Sequence, residues 1–160
     1  MTQQVNKKIL FIILILISLS LFSAFFIEYK LGHKPCKLCL YERVPYILSI
    51  FLIMKILFFN DYNKITLLIL SIVFFVGAII SFYHLGIEQG FFKESLACTA
   101  ENFSGSITKE EILEQLEQNS ISCKDVSFRI FGFSLASINT IFSFILSVIF
   151  IKLFLNYDKN

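Results

Sequence analysis

Two cysteines separated by two residues, Cys36 and Cys39, lie in a short segment between two long apolar runs. Such a pair can close as a disulfide and reopen, and the Cys-x-x-Cys arrangement typically lowers a thiol pKa, so that the reactive thiolate is accessible. Arg43 follows four positions after Cys39, and an apolar stretch begins directly behind it. This layout indicates a dithiol at a membrane surface. It favours redox chemistry over two alternatives, a metal clip and a structural cross-link.

A second pair, Cys98 and Cys123, lies far apart in the chain and does not repeat the Cys-x-x-Cys spacing. A structural zinc site commonly uses two closely spaced pairs, so neither the four cysteines nor a set that includes His33 favours zinc, and we predict no metal. The separation suits a disulfide that closes a loop, which alone would be a structural cross-link worth roughly 2–4 kcal/mol. Together with the first pair, it permits exchange through a mixed disulfide.

The composition indicates a membrane protein. Of the 160 residues 56% are hydrophobic and the mean hydropathy is +0.75, whereas roughly 45–50% apolar residues are typical of soluble domains. Charged residues make up only 16% and fall in a few clusters. The net charge of +2 and the lack of a basic stripe give no indication of a nucleic-acid partner.

The gaps between the charge clusters predict four membrane spans in one domain over residues 1–160. About 20 apolar residues cross a hydrocarbon core, and the predicted spans cover about 9–27, 44–59, 65–87 and 129–155. Pro45 is tolerated in a first helical turn, which places the start of the second span near Val44. The first run is too long for a signal-peptide core and lacks an A-x-A-like site, which argues against cleavage.

The connections 28–43 and 88–128 carry all four cysteines, and an even number of spans places both on the side opposite the termini. Lys and Arg are divided too evenly to name that side. Paired cysteines persist in oxidising compartments, so we expect these loops outside the cytoplasm. Within the second loop, a capping-box pattern predicts a short amphipathic helix over residues 108–118.

An oxidising relay needs an electron acceptor. The sequence has no haem motif and no dinucleotide fingerprint, and it has no further cysteines that could hold an iron–sulfur cluster. A lipid-soluble acceptor such as a quinone remains. Arg43 is a candidate to stabilise a thiolate or the charge on a quinone ring, and equally an interfacial anchor. His84 lies at the same end of its span and is a candidate proton carrier. We expect Glu42 and Glu88 to be solvated interfacial carboxylates.

Three segments and a cysteine pair follow one another in a set order. The segments are Cys36-Lys37-Leu38-Cys39-Leu40-Tyr41-Glu42-Arg43, Tyr83-His84-Leu85-Gly86-Ile87-Glu88 and Arg129-Ile130-Phe131-Gly132-Phe133-Ser134-Leu135-Ala136. Cys98 and Cys123 fall between the second and third of them. In this combination the chain resembles the bacterial disulfide bond formation protein B (DsbB) family, inner-membrane quinone reductases that reoxidise the periplasmic thiol oxidase DsbA.

The resemblance implies an all-α membrane protein, a four-helix bundle with a short helix in the second loop. It implies that Cys98 and Cys123 exchange with a DsbA-like oxidase, and that Cys36 and Cys39 pass electrons to ubiquinone or menaquinone. Arg43 would lie at the quinone headgroup with His84 as a neighbour. The termini would be cytoplasmic and the cysteine loops periplasmic, in the bacterial inner membrane.

Two other classes compete with this interpretation. The first is an enzyme like vitamin K epoxide reductase, whose loop cysteines precede its Cys-x-x-Cys motif, the reverse of the order here. The second is a non-enzymatic membrane scaffold with two structural disulfides. In that scaffold both pairs would resist reduction, because structural disulfides have potentials below about −300 mV.

Overall fold

The computed structural model describes residues 7–59, 64–93, 98, 122–124, 128–130 and 132–157. The described residues form four helices and a two-stranded hairpin. In chain order these are α1 (Lys7–Tyr29), α2 (Lys37–Phe59), α3 (Lys64–Glu88), β1 (Arg129–Ile130), β2 (Phe133–Ser134) and α4 (Leu135–Leu155). The helix predicted over residues 108–118 lies outside the described residues.

Three of these helices, α1, α3 and α4, are long and apolar enough to cross a membrane. Each leaves large aliphatic and aromatic side chains on its outer surface, which suits contact with lipid. Helix α2 is equally long but carries Lys37, Glu42, Arg43 and Lys55. The chain is therefore a helical, multi-pass membrane protein.

Helix α2 begins at Lys37, inside the predicted cysteine loop, and not near Val44. Pro45 thus lies within the helix, although the sequence analysis placed it in the first turn. Proline removes a helical hydrogen bond, but α2 continues past it, and Gly77 of α3 leaves room for its ring. A Cβ on Gly77 would lie 3.2 Å from Cγ of Pro45. The early start places Cys39 and Arg43 on the same helix.

Helix α4 begins at Leu135 and not at Arg129, because β1 and β2 form a hairpin before it. Arg129 pairs with Ser134 and Ile130 with Phe133 in antiparallel register. The turn passes through Gly132 at φ +87°, a left-handed conformation that glycine adopts without strain. Ser134 then caps the helix, since its hydroxyl oxygen accepts from the backbone N–H of Ser137 at 3.2 Å.

The core of the bundle draws on all four helices. Phe74 of α3 lies at its centre, edge-on to Tyr46 and stacked on Phe150, with ring centroids 5.7 Å apart in both pairs. Helices α3 and α4 are also joined by a reciprocal pair of hydrogen bonds. The Ser71 hydroxyl donates to the Ser147 carbonyl at 3.1 Å, and the Ser147 hydroxyl donates to the Ser71 carbonyl at 3.0 Å. These contacts fix the helices that carry the site.

Candidate active site

The first cysteine pair lies at the N-terminus of α2. Cys36 directly precedes the helix, and its carbonyl accepts from the N–H of Leu40 at 3.3 Å, as in an N-cap residue. The N–H of Cys39 donates to Sγ of Cys36 at 3.3 Å, and the two Sγ atoms lie 2.7 Å apart as free thiols. A helix N-terminus stabilises negative charge, so this position favours a thiolate at Cys36.

The two thiols differ in acidity. The hydrogen bond from the Cys39 thiol, supported by a hydrogen bond and charge from His84, lowers the pKa of Cys36 to about 4 against the opposing effect of burial. The same hydrogen bond, together with burial and the Cys36 thiolate, raises the pKa of Cys39 above its usual range. Cys36 is thus the ionised member of the pair and Cys39 the protonated one.

His84 of α3 connects this pair to a buried carboxylate. Its Nε2 lies 3.5 Å from Sγ of Cys36, and its Nδ1–H donates to Oε1 of Glu42 at 2.7 Å. A carboxylate only accepts, so the proton on Nδ1 is fixed and Nε2 faces the sulfur. His84 is 3% exposed and therefore lies inside the bundle beside the thiols.

The expectation that Glu42 and Glu88 are solvated is wrong. Glu42 is 8% exposed and the Glu88 side chain 6% exposed, with Oε1 of Glu88 3.8 Å from Nε2 of His84. The sequence analysis treated both as loop residues, but each lies on a helix that faces the bundle interior. Burial of a carboxylate in a membrane protein commonly marks a functional site, because it is costly without partners.

Asn139 of α4 completes the polar network around Glu42. Its Nδ2 donates to Oε2 of Glu42 at 2.8 Å and to the Ser81 hydroxyl at 2.6 Å, while its Oδ1 accepts from the Tyr46 hydroxyl. Sequence reasoning assigned no role in the site to Asn139 or Tyr46. An asparagine within an apolar run was the available signal, since polar groups at membrane depth are rare without partners.

Arg43 is held by two residues of α1. Its guanidinium donates to Oε2 of Glu28 at 2.5 Å and lies over the Phe25 ring, 4.8 Å from the centroid. The Arg43 side chain is 13% exposed and that of Glu28 20%. The ion pair and the ring together fix the guanidinium in the wall between α1 and α2.

A cavity of about 330 Å³ lies between these groups, and we call it the sulfur-side cavity. Its polar wall includes four predicted site residues, Cys36, Cys39, Arg43 and His84. Apolar side chains of α1 and α4 complete it, among them Leu21, Ala24, Ile27, Ile138 and Phe142. Ligand pockets commonly measure about 300–1,000 Å³, so the cavity is large enough for the ring of a small apolar cofactor.

The second cysteine pair packs against the first. Cys98 and Cys123 form a disulfide, as their separation predicts, and they are 2% and 1% exposed. Both belong to one buried cluster with Cys36, Leu38 and Ile87, against which Cys39 also packs. The structure therefore brings together all six residues that the sequence singled out, with Arg43 reaching the site from the cavity wall.

Comparison with known proteins agrees with this arrangement. The family described as "Disulfide bond formation protein DsbB" matches residues 6–153. The chain is also 31% identical over 156 residues to the uncharacterized protein RP370 of Rickettsia prowazekii (strain Madrid E), an alignment that covers 96% of this chain and 90% of the relative. No solved structure matches the chain significantly.

Proposed function

Because the chain belongs to the DsbB family of disulfide bond formation proteins, we propose that it reoxidises a soluble, DsbA-like dithiol oxidase of the periplasm and passes the electrons to a membrane quinone. Family membership makes it a disulfide-forming oxidoreductase of the membrane. The observation that carries the finer proposal is the packing of the Cys98–Cys123 disulfide and Cys36 in one buried cluster beside the sulfur-side cavity.

The proposed exchange proceeds in two steps. A thiolate of the partner attacks the Cys98–Cys123 disulfide, and its second thiol resolves the mixed disulfide, so the partner leaves oxidised and Cys98 and Cys123 are reduced. One of these thiolates then attacks the Cys36–Cys39 disulfide and the other resolves it. The Cys98–Cys123 disulfide is restored, and two electrons now lie on the sulfurs of Cys36 and Cys39, with the two protons divided between this pair and His84.

The sulfur-side cavity fits the proposed acceptor. A bound quinone, ubiquinone or menaquinone, supplies a sink for two electrons and two protons. Arg43 is placed to donate to a ring oxygen, and Glu28 keeps the guanidinium oriented. Nε2 of His84 faces Sγ of Cys36 and can accept a thiol proton there, while Glu42 stabilises the resulting imidazolium. Apolar side chains of α1 and α4 exclude water.

We propose that α2 is the fourth span of a single membrane domain over residues 1–160. The charges in its second turn are paired within the bundle, Glu42 with His84 and Arg43 with Glu28, which lowers the cost of burying them. With four spans, the cysteine connections 28–43 and 88–128 share the side opposite the termini. Paired cysteines persist in oxidising compartments, so we propose that this side is the periplasm and that the protein lies in the bacterial inner membrane with cytoplasmic termini.

Thiol trapping in membranes with and without quinone tests the relay. Cys98→Ser should abolish oxidation of the reduced partner but leave the Cys36–Cys39 disulfide formed when quinone is present. Ser122→Ala, next to Cys123, is the matched control and should oxidise the partner at the normal rate. Normal turnover in Cys98→Ser would refute the two-step relay. Two disulfides that both resist reduction at about −300 mV would support the scaffold alternative.

A further inference from the structure

We propose that the reduced protein binds one Zn²⁺ ion between Cys36, Cys39 and His84, with Glu88 as the fourth ligand. One ligand atom from each of the first three residues lies within 4.8 Å of the others. Zinc sites commonly combine thiolate, imidazole and carboxylate ligands in a tetrahedral arrangement. The sequence alone does not favour this metal site, because His84 and Glu88 lie far from Cys36 and Cys39 along the chain.

The orientation of His84 is the one that metal-binding histidines adopt. Its Nδ1–H donates to Glu42 at 2.7 Å, which leaves Nε2 directed at Cys36. Metal-ligating histidines almost always donate their other ring N–H to a carboxylate or carbonyl, which fixes the tautomer and raises the basicity of the ligating nitrogen. Glu42 therefore acts as the outer partner of a carboxylate–histidine–zinc arrangement.

Glu88 supplies an independent observation that fits a cation, although Ser134 already hydrogen-bonds its carboxylate. Its Oε1 lies 3.8 Å from Nε2 of His84, one helical turn along α3. Its Oε2 is buried and has no hydrogen-bond partner among the residues that the structure describes. An unpaired buried carboxylate oxygen is costly, and a divalent cation between Glu88 and the thiols would compensate it.

Binding requires movement of two groups and a defined redox state. Ligand atoms around a tetrahedral zinc lie roughly 3.5–3.8 Å apart, so the two sulfurs must separate by about 1 Å from their 2.7 Å spacing. The Glu88 carboxylate lies outside the group formed by the other three ligands and must turn from His84 toward the sulfurs. Both cysteines bind as thiolates, and any proton still on either sulfur is released to solvent without electron transfer. A disulfide cannot bind in this way. Zinc would therefore hold Cys36 and Cys39 reduced and stop their oxidation.

Zinc titration of the purified full chain in detergent tests this site. The protein is reduced with a phosphine or oxidised with diamide, and bound Zn²⁺ is measured by competition with a chromophoric chelator. We expect one Zn²⁺ per reduced chain and none per oxidised chain. Co²⁺ in place of Zn²⁺ should give thiolate-to-metal charge-transfer absorption and tetrahedral ligand-field bands.

Variants assign the ligands. His84→Ala should weaken zinc binding about 100-fold or more and Glu88→Gln about tenfold, whereas the control His33→Ala should stay within about twofold of the unsubstituted protein. Binding that persists in His84→Ala, or is unchanged in Glu88→Gln, would overturn the ligand set. Binding that is lost in the Cys98→Ser, Cys123→Ser double variant would assign the zinc to the second pair and overturn the proposal.

Discussion

Replacement of Glu42 by glutamine isolates the electrostatic support that the first cysteine pair receives. Glutamine keeps the shape of the side chain but removes its charge. A single amide oxygen then replaces the two carboxylate oxygens that accept from His84 at 2.7 Å and from Asn139 at 2.8 Å. Without the carboxylate, the imidazolium form of His84 loses its partner. The thiolate of Cys36, which His84 supports from 3.5 Å away, loses stability with it.

The expected size follows from the hydrogen bond that is lost. Hydrogen bonds to a charged group contribute about 1.5–3 kcal/mol, and one pKa unit corresponds to about 1.36 kcal/mol. Because Glu42 acts on Cys36 only through His84, Glu42→Gln should raise the lowered pKa of Cys36 by at most about 1–2. The thiolate persists above the pKa and is lost as the pH falls through it, so the variant should lose reactivity at a higher pH than the unsubstituted protein.

Alkylation of the reduced, metal-free protein over pH 3–8 measures this shift. Tryptic cleavage after Lys37 separates Cys36 from Cys39, so the rate at each thiol can be read by mass spectrometry. Glu28→Gln is the matched control, because Glu28 pairs with Arg43 and not with His84. An unchanged midpoint in Glu42→Gln, or an equal shift in Glu28→Gln, would refute the reasoning.

Three further outcomes are expected. Arg43→Ala removes a charged hydrogen-bond donor, so in steady-state assays it should raise the quinone KM about 10–100-fold and leave the partner KM unchanged. Equal changes in both KM values would indicate that Arg43 is an interfacial anchor. Asn139→Leu should lower the free energy of unfolding in detergent by about 1–3 kcal/mol, since Glu42 loses a buried partner, and a variant of full stability would contradict this. Gly77→Val should lower the same free energy by about 1–3 kcal/mol through crowding against Pro45, and an unchanged unfolding midpoint would show that the helices adjust freely.

The cysteines of the candidate site could be predicted from the sequence because their pattern is local. The two-residue spacing of Cys36 and Cys39 marks the first pair, and the separation of Cys98 and Cys123 predicts the disulfide that the structure shows. The site residues that were missed depend on contacts between helices. We expected Glu42 and Glu88 to be solvated, because charged side chains next to a membrane span usually face water. Only the packing of α2 against α3 shows that both face the interior of the bundle.

Contacts between distant parts of the chain also explain why the observed helix boundaries differ from the predicted ones. Pro45 was given its usual position in a first turn, whereas the ring fits inside α2 because α3 offers a glycine at that level. The hairpin before α4 was not expected, since an apolar run containing one glycine does not by itself distinguish a turn from the start of a span. Both features depend on neighbours that are distant in the chain.

The meeting of Pro45 and Gly77 has a consequence for the sulfur chemistry. At 1.5 Å per residue, this contact lies about 9 Å along α2 from Cys39 and about 10 Å along α3 from His84. The contact therefore lies at a similar distance from the thiol on α2 and from the imidazole on α3. An added methyl group at Gly77 would push α2 and α3 apart at this level, so the close approach of Gly77 to Pro45 helps to set the distance between His84 and the sulfurs.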